Sequence, residues 1–575
     1  MQSRTARGLR VLLGALLALA SASGFVACGG GGSSAPVQGS GGSGTGGGGT
    51  GGGAGGGGGT GGTSNVTDVT TYKYDNSRSG ANLHETTLTT ANVNSATFGL
   101  LRQLSVDGKV DAQPLYLNAL TVGGKSRNVL FVATENDSVY AFDADTGEQL
   151  WKVSLVPTGE TVSDNVNCDN VTPTIGITST PVIDRAAGAH GTIYVVAMTQ
   201  SNATTYHHRL HALDLATGGE LLGGPTLVTA SYQSQSGVVQ FNSSQGNEHA
   251  ALLLSNGTIY TTWTSNCDHY YYAGWIIAYS ASTLQQTAVL NVGINSGGVG
   301  PAIWMAGSGP LADSSNNVYL ITANGGFEAT LDANGFPNMG DFGNSFMKIS
   351  TSGGGLTVAD YFAPYNTAFF SQHDLDLGGG GGLLLPDQVD STGTTRHLMV
   401  GAGKDGNLWV VDRDSMGHFS TSTNNNWQTI ANVFGNRGED PLNGTGGIWS
   451  TPAYFNGHVY FNAVNRALMS FSINQALLST TPVATGTVQF PYPGASPSVS
   501  ANGTSNGIVW ALYNANPAVL YALDAATLAQ LYSSSDAASN RDQFGAGNKF
   551  IVPVVANGKV FVGTNNSIAV FGLLN

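Results

Sequence analysis

Charged residues are scarce in this sequence, and cysteine is scarcer still. Only 10% of the 575 residues are Asp, Glu, Lys or Arg, yet the formal net charge is −14. This acidic surplus argues against nucleic acid and against an anionic membrane surface as partners. The three cysteines, Cys28, Cys168 and Cys267, form no Cys-x-x-Cys pair. A zinc site built from cysteine pairs and a c-type haem are therefore excluded within the chain.

Long hydrophobic runs are also missing. The apolar run Val11 to Ala20 is too short for a membrane span of about 20 residues, and three arginines precede it. This order predicts a secretion signal over residues 1–27. The four residues from Phe25 to Cys28 resemble a bacterial lipobox, with Phe25 where Leu is usual. We expect cleavage before Cys28 and lipidation of its thiol. The alternative is plain secretion with an incidental cysteine.

Glycine, in contrast, is abundant, with 82 residues. Many lie in a stretch of Gly, Ser and Thr that, with Cys28, occupies residues 28–64 and precedes the folded part, residues 65–575. Such a composition cannot bury apolar surface and predicts a flexible tether. Gly29 directly after the cysteine resembles the pattern of lipoproteins sorted to the outer membrane. We therefore expect a bacterial cell-envelope protein, lipid-anchored at the outer membrane.

The folded part consists of repeated β units. Asn128 to Leu155 is the clearest unit: three short strands rich in β-branched and aromatic residues alternate with Asp-, Asn- and Gly-containing turns. One such meander cannot bury both of its faces, so it needs copies of itself. Eight units follow one another: 112–155, 177–228, 250–292, 301–363, 374–420, 449–483, 498–533 and 551–574.

The eighth unit ends after its third strand. Phe98 to Val106 is an isolated strand that can supply the missing outer one, which closes the ring and removes its open sheet edges. The sequence thus predicts an all-β fold: an eight-bladed β-propeller of four-stranded antiparallel blades, closed by an N-terminal strand in the last blade.

One segment carries a specific resemblance. Ala141 to Trp151 matches the pattern A-x-D-x-x-T-G-x-x-x-W, which resembles the tryptophan-docking motif of the eight-bladed quinoprotein propellers. Ala212 to Leu222 keeps all of the pattern but the Trp, and Ala522 to Tyr532 keeps A-x-D-x-x-T. The resemblance implies that each motif Trp packs between neighbouring blades. It also implies a pyrroloquinoline quinone (PQQ) and Ca²⁺ over the central channel.

The same resemblance assigns roles to five residues. Trp304, in GGVGPAIWMAG, matches the floor beneath the quinone. Asn324, in YLITANGG, and Asp268, in NCDHYYYAGW, match the oxygen ligands of Ca²⁺. Asp376, in QHDLD, matches the catalytic base and adds a carboxylate to the metal site. Lys404, in GKDGNLWVVDRD, matches the cation that contacts the quinone oxygens and takes part in catalysis.

Each of these residues also has an ordinary structural explanation. A propeller Trp commonly packs between blades, and Asn or Asp at a strand end commonly forms a turn. The chain departs from the family as well. Asn167-Cys168-Asp169 stands where the family's alcohol dehydrogenases have two adjacent cysteines, and no haem domain is present. In an oxidising compartment Cys168 and Cys267 are free to pair; separate buried cysteines are the alternative.

Two functions follow from these observations. The first is a PQQ- and Ca²⁺-dependent oxidoreductase that acts on an alcohol or a sugar. The second is a non-catalytic lipoprotein whose rim binds envelope proteins or polymers. In both we expect a monomer that reaches the membrane through its lipid anchor.

Overall fold

The computed structural model describes residues 67–268, 272–293, 295, 300–435 and 444–574. The predicted signal peptide, Cys28 and the predicted tether lie outside these residues. The eight repeat units form eight antiparallel sheets, which we call blades 1 to 8.

The blade strands are as follows, in chain order. Blade 1 has Leu115–Val122, Lys125–Ala133, Ser138–Asp143 and Gln149–Ser154; blade 2 has Val182–Asp184, Thr192–Asn202, Thr205–Asp214 and Thr226–Leu227; blade 3 has Leu253–Ser255, Thr258–Thr262, Trp275–Ser280 and Gln286–Asn291; blade 4 has Leu311–Ala312, Val318–Ile321, Phe346–Ser350 and Thr357–Phe362. Blade 5 has Gly382–Leu384, Leu398–Ala402, Leu408–Asp412 and Gln428–Ile430; blade 6 has Ala453–Phe455, His458–Asn462, Arg466–Asn474 and Ala484–Phe490; blade 7 has Ser498–Asn502, Ser505–Tyr513, Val519–Asp524 and Gln530–Ser533; blade 8 has Val554–Ala556, Lys559–Gly563, Ser567–Leu573 and Phe98–Ser105.

Blade 8 closes the ring with the N-terminal strand, as the sequence predicts. Phe98–Ser105 pairs antiparallel with Ser567–Leu573, from Phe98 opposite Leu573 to Ser105 opposite Ser567. The two ends of the folded chain therefore share one sheet. The predicted fold, an eight-bladed propeller of four-stranded antiparallel blades, is confirmed.

The remaining elements are short. Ala81–Asn82, Thr161–Val162 and Leu477–Leu478 add a strand to blades 7, 2 and 6, and three small hairpins pair Ser231–Ser234 with Gly237–Gln240, Gly246–Asn247 with Thr264–Ser265, and Gln388–Val389 with Thr395–Arg396. One α-helix spans Thr367–Gln372, and 3₁₀ turns span Met305–Gly307, Ser352–Gly354, Leu377–Gly379 and Ala538–Asn540. Among the described residues, no helix has both the length and the apolar character that crossing a membrane requires.

Trp151 joins blade 1 to blade 2. Its indole Nε1 donates a hydrogen bond of 3.1 Å to the carbonyl oxygen of Leu215, in the turn that contains the second copy of the motif. Gly218 ends that turn with φ of 71°, and a Cβ there would lie 2.8 Å from the Trp151 ring. Glycine is needed both for the backbone conformation and for the close approach of the ring. The resemblance predicted this inter-blade role for Trp151.

Residues 67–85, here called the axial segment, cross the hub of the propeller. They contact the first strand of every blade in order. Val69 bridges to Tyr116 of blade 1, and Asn82 Nδ2 donates to the carbonyl oxygen of Val555 in blade 8 at 3.0 Å. Backbone hydrogen bonds link the segment to blades 2, 4, 5, 6 and 7 through Ile183, Ala312, Leu384, Tyr454 and Val499, and Asn76 Nδ2 donates to Leu254 of blade 3.

Two buried basic side chains hold the axial segment in place. The Arg78 guanidinium donates to the carbonyl oxygens of Leu252 and Pro310 at 3.1 and 2.9 Å. Lys73 Nζ donates to the carbonyl oxygens of Pro452 and Pro497. The inner strands leave carbonyl groups without sheet partners at the hub, and the axial segment supplies the donors that such buried groups require.

Candidate functional site

A cavity of about 400 Å³ lies at the hub, at the opposite end of the inner strands from the axial segment. Its walls come largely from the loops that lead into the inner strands. Four of the five predicted site residues line it. The full lining is Asn170, Val171, Asn247, His249, Asp268, Trp304, Ala306, Asp374, Asp376, Gly379, Lys404, Trp449, Tyr492, Lys549 and Phe550. We call this the axial cavity.

Lys404 bridges two carboxylates at the wall of the axial cavity. Its Nζ lies 2.6 Å from Asp376 Oδ2 and 2.8 Å from Asp374 Oδ1. Burial by itself would lower the pKa of Lys404, but the charges of Asp376 and Asp374 outweigh it and raise that pKa. Lys404 therefore stays an ammonium ion. It lies in the turn between two strands of blade 5, and this turn holds the charge in one position.

Asn324 lies behind the two carboxylates, just after the strand Val318–Ile321. Its backbone N–H donates to Asp376 Oδ1 at 2.8 Å, and its Nδ2 donates to Asp374 Oδ1 at 2.9 Å. Its Oδ1 accepts a hydrogen bond of 3.2 Å from Asn344. The structure thus brings Asn324 to the predicted site as a residue that orients the carboxylates, with its amide oxygen already hydrogen-bonded.

Asp268 reaches the cavity from a loop of blade 3. The hydroxyl of Ser265 donates to its Oδ1, and Cys267 and Asp268 both have left-handed backbone angles, with φ of 50° and 51°. Burial raises the pKa of the Asp268 carboxyl, and the charges of Asp376 and Asp374 add to this shift. The three carboxylates therefore act on one another electrostatically across the cavity.

A disulfide between Cys168 and Cys267 connects two loops at the rim. This is the pairing that the sequence left open. Asn170 and Val171 follow Cys168, and Asp268 follows Cys267, and all three line the cavity. The bond thus holds the rim loop that precedes blade 2 beside the loop that carries Asp268.

Aromatic rings form much of the remaining wall. Trp304 is partly exposed, and its ring lies 6.2 Å from that of His249, which in turn lies 5.0 Å from Phe550. Trp449 and Tyr492 meet edge to face at 5.8 Å, and Lys404 Nζ lies 5.8 Å above the Trp449 ring. Burial, with a contribution from Lys549, lowers the pKa of His249 to about 4, so this imidazole is neutral near neutral pH.

A smaller space adjoins the axial cavity toward blades 1 and 8. It contains the carboxyl groups of Asp111 and Glu135 together with Lys109 and Lys549. Burial raises the pKa of both carboxyls, and the proximity of the two acids raises that of Glu135 further. At neutral pH the pair holds a proton, so this region carries less negative charge than its composition indicates.

His249, Trp449, Lys549 and Phe550 have no role predicted from the sequence, and Asp374 enters the prediction only as part of the motif QHDLD. A positional signal exists for several of them. His249, Trp449 and Phe550 each lie four residues before the start of an inner strand, at Leu253, Ala453 and Val554. In a propeller these positions face the axis, so the repeat alignment alone would have placed them at the hub.

Metal-binding potential is limited in this arrangement. Among residues 67–574 that the structure describes, no group of three or more His, Cys, Asp or Glu side chains could hold a metal ion. Lys404 already supplies a positive charge between Asp374 and Asp376. The side-chain oxygens of Asp268, Asn324 and Asp376 are of the kind that Ca²⁺ prefers. In this structure the same oxygens accept hydrogen bonds from protein groups.

The comparison with protein families finds one match. The family model described as "Outer membrane protein assembly factor BamB", of the PQQ-like type, matches residues 76–257. These residues run from the axial segment to the turn after the first strand of blade 3. A search of curated proteins finds no sequence relative of the chain.

Solved structures show the same fold. The quinohemoprotein alcohol dehydrogenase from Comamonas testosteroni superposes with a TM-score of 0.57 at 15% identity, over 88% of this chain and 80% of that one. A quinohemoprotein alcohol dehydrogenase from Pseudomonas putida HK5 gives 0.56 at 14% identity with the same coverage. A europium-containing methanol dehydrogenase gives 0.54 at 14% identity, over 88% of this chain and 98% of that one. The predicted resemblance to quinoprotein propellers is confirmed for the fold.

Proposed function

We propose that the chain is an extracytoplasmic oxidoreductase of the quinoprotein type, which oxidises an alcohol or a sugar in the axial cavity. The observation that carries this proposal is the convergence of Trp304, Lys404, Asp376 and Asp268 on one cavity. These residues come from the units of blades 3, 4 and 5 and span more than a hundred positions of sequence. Packing alone does not explain why a fixed cation, two paired carboxylates and a partly exposed indole meet in one cavity.

The cavity suits a flat, anionic quinone such as PQQ. Trp304, Trp449 and Phe550 offer aromatic faces, and Lys404 and Lys549 offer ammonium groups for the quinone oxygens and carboxylates. Asp268, Asn324 and Asp376 are the proposed oxygen ligands for Ca²⁺. When bound, these groups supply a two-electron acceptor and a Lewis acid.

The chain's own residues would prepare the substrate for oxidation. Asp376 Oδ2 is the proposed acceptor of the proton of the substrate hydroxyl. Lys404 Nζ and the Asn324 backbone N–H hold the Asp376 carboxylate in one orientation. The aromatic wall and the disulfide-linked rim would exclude water from the reacting hydroxyl.

Binding and catalysis can be tested separately. Purified protein is mixed with PQQ and Ca²⁺, retained quinone is measured by absorbance after gel filtration, and dye reduction is measured with a panel of alcohols and sugars. Because Asp376 acts on the proton, Asp376→Asn should keep the quinone and lose dye reduction by about 10²–10⁴-fold. Because Lys404 contacts the quinone, Lys404→Met should lose the quinone itself.

The matched control is Asp387→Asn in the same blade, whose side chain is 70% exposed and lies outside the cavity. It should leave both quantities unchanged. Failure of the wild-type chain to retain PQQ at any Ca²⁺ concentration would contradict the proposal, as would dye reduction that survives in Asp376→Asn.

A scaffold function is the second candidate. The match of residues 76–257 to a family described as an outer membrane assembly factor supports it. Under this hypothesis the rim binds envelope proteins or polymers and the axial cavity is structural. Crosslinking in cells would then capture one envelope partner equally well with wild type and with Asp376→Asn.

The envelope location and the lipid anchor remain part of the proposal. The Arg-containing N-terminus, the apolar run and Cys28 support them. Mass spectrometry of the mature chain should find an N-terminal Cys28 that carries acyl groups. An unmodified N-terminus at any other residue would contradict lipidation.

A further inference from the structure

A second cavity, of about 410 Å³, lies beside blade 3. The small sheet that pairs Gly246–Asn247 with Thr264–Ser265 contributes residues to both this cavity and the axial cavity. Gly246 and Thr264 line the second cavity, whereas Asn247 lines the axial one. We call the second cavity the blade 3 pocket. Its volume is within the range of about 300–1,000 Å³ typical of small-molecule sites.

One side of the blade 3 pocket is aromatic. Phe241, Tyr272 and Trp275 line it. Phe241 meets Trp275 edge to face at 6.0 Å and Trp263 at 4.7 Å, so its ring is fixed by a packed cluster. Aromatic rings bury the apolar C–H face of a ligand ring at little entropic cost, because they are already immobile.

The lining of the pocket also offers uncharged polar groups. Gln245 is 6% exposed and Thr264 is 2% exposed. Gln245 Oε1 and Thr264 Oγ1 have no hydrogen-bond partner among the residues that the structure describes. A buried polar atom left without a partner costs about 1–3 kcal/mol, so two such atoms in the lining of one pocket indicate a partner from outside the protein.

The pocket is uncharged and its rim is held in place. None of the described lining residues is Asp, Glu, Lys, Arg or His. Asn295 fastens the rim: its Oδ1 accepts from the backbone N–H of Gln235 at 2.9 Å, and its Nδ2 donates to the carbonyl oxygen of Met339 at 2.7 Å. A charged ligand would find no compensating charge here, whereas a neutral ligand would meet a preformed site.

We propose that the blade 3 pocket binds a neutral sugar ring. A pyranose has an apolar face for the aromatic side and hydroxyl groups that can donate to Gln245 Oε1 and exchange hydrogen bonds with Thr264 Oγ1. This site requires neither a quinone nor Asp376, so it goes beyond the function proposed above and does not depend on it.

Calorimetric titration of the folded chain tests the proposal. The ligands are glucose, galactose and N-acetylglucosamine, with glucuronate as the charged comparison. The neutral sugars should bind, and glucuronate should bind more weakly. Gln245→Leu keeps the shape but removes the acceptor, and should weaken binding roughly tenfold. Val239 lies at the pocket rim and is 37% exposed. Val239→Arg should abolish binding, because the longer side chain enters the pocket.

The matched control is Gln285→Leu, at an exposed turn of the same blade, which should bind like wild type. The absence of heat with all three neutral sugars would overturn the proposal, because water alone would then satisfy the two buried atoms. Unchanged affinity in Val239→Arg would also overturn it. This second variant tests the pocket even if Gln245→Leu does not fold. Loss of sugar binding in Asp376→Asn, with retention in Val239→Arg, would move the site to the axial cavity.

Discussion

At the scale of single residues, the acids around the axial cavity differ in the charge that lies nearest to them. Asp374 and Asp376 share the ammonium group of Lys404. Glu248, which lies between two residues that line the axial cavity, has no such cation. The Ser179 hydroxyl donates to its Oε2 at 2.8 Å, but burial still raises its pKa to about 8. Burial therefore holds Glu248 protonated near neutral pH.

Glu248 should make stability depend on pH. Its folded-state pKa lies above the unfolded value of about 4.3, so the native state binds the proton more tightly. This contribution to stability is therefore complete below about pH 4 and is lost as pH rises through about 8. Glu248→Gln, which keeps a neutral group, should remove this slope. Its Tm should exceed that of wild type by a few degrees at pH 9, and this difference should shrink steadily as pH falls to 5.

Thermal melts from pH 5 to 9 provide the measurement. Gln103→Glu, an exposed exchange between the same two residue types on the closing strand, serves as the control and should leave the slope unchanged. Parallel slopes in wild type and Glu248→Gln would contradict the assignment.

At the scale of elements, loops rather than strands build the site. The strands of each blade pair regularly, and the loops before the inner strands carry the cavity residues. The Cys168–Cys267 bond connects the loop before the inner strand of blade 2 to a loop between the second and third strands of blade 3, across 99 positions of sequence. Because a crosslink over a long loop restricts the unfolded chain strongly, it contributes to stability as well as to the rim.

The disulfide should therefore matter for both stability and binding. The double variant Cys168→Ser/Cys267→Ser should lower the free energy of unfolding by about 2–4 kcal/mol, measured in urea. It should also weaken any ligand of the axial cavity, because Asp268 follows Cys267 directly. Reductant should shift wild type in the same way and should leave the double variant unaffected. An equal response of both proteins to reductant would refute this interpretation.

At the scale of the whole molecule, two N-terminal pieces complete the propeller. The strand Phe98–Ser105 covers the edge of Ser567–Leu573, and the axial segment satisfies the polar groups of the hub. The first prevents an open sheet edge, and the second connects all eight blades through one chain segment.

Removing both pieces should cause aggregation. A chain that begins at Asp107 exposes the edge of blade 8 and the carbonyl groups at the hub. It should be insoluble or oligomeric by light scattering. A chain that begins at Asn65, which lacks only the signal and the tether, should stay monomeric with an unchanged Tm. A monomeric chain from Asp107 with the Tm of the longer one would contradict the closure argument.

The sequence by itself determined the propeller. Strand alternation, turn residues and the Trp151 motif are local patterns, and eight copies of them leave one missing strand that Phe98 to Val106 fills. Because the same strand-and-turn pattern recurs in eight units, the number of blades and the closure of the ring could be predicted from the sequence alone. The five site residues came from motif resemblance, and four of them line the cavity.

Only the tertiary structure decided which side chains meet. Asp268, Asp376 and Lys549 come from loops of different blades and converge at the hub. The axial segment contacts the inner strand of each of the eight blades. The hydrogen bonds of Asn324, the Cys168–Cys267 bond and the blade 3 pocket likewise join residues that no local pattern connects. The physical reason is that closing the ring fixes distances between remote loops, whereas sequence periodicity fixes only the geometry within one blade.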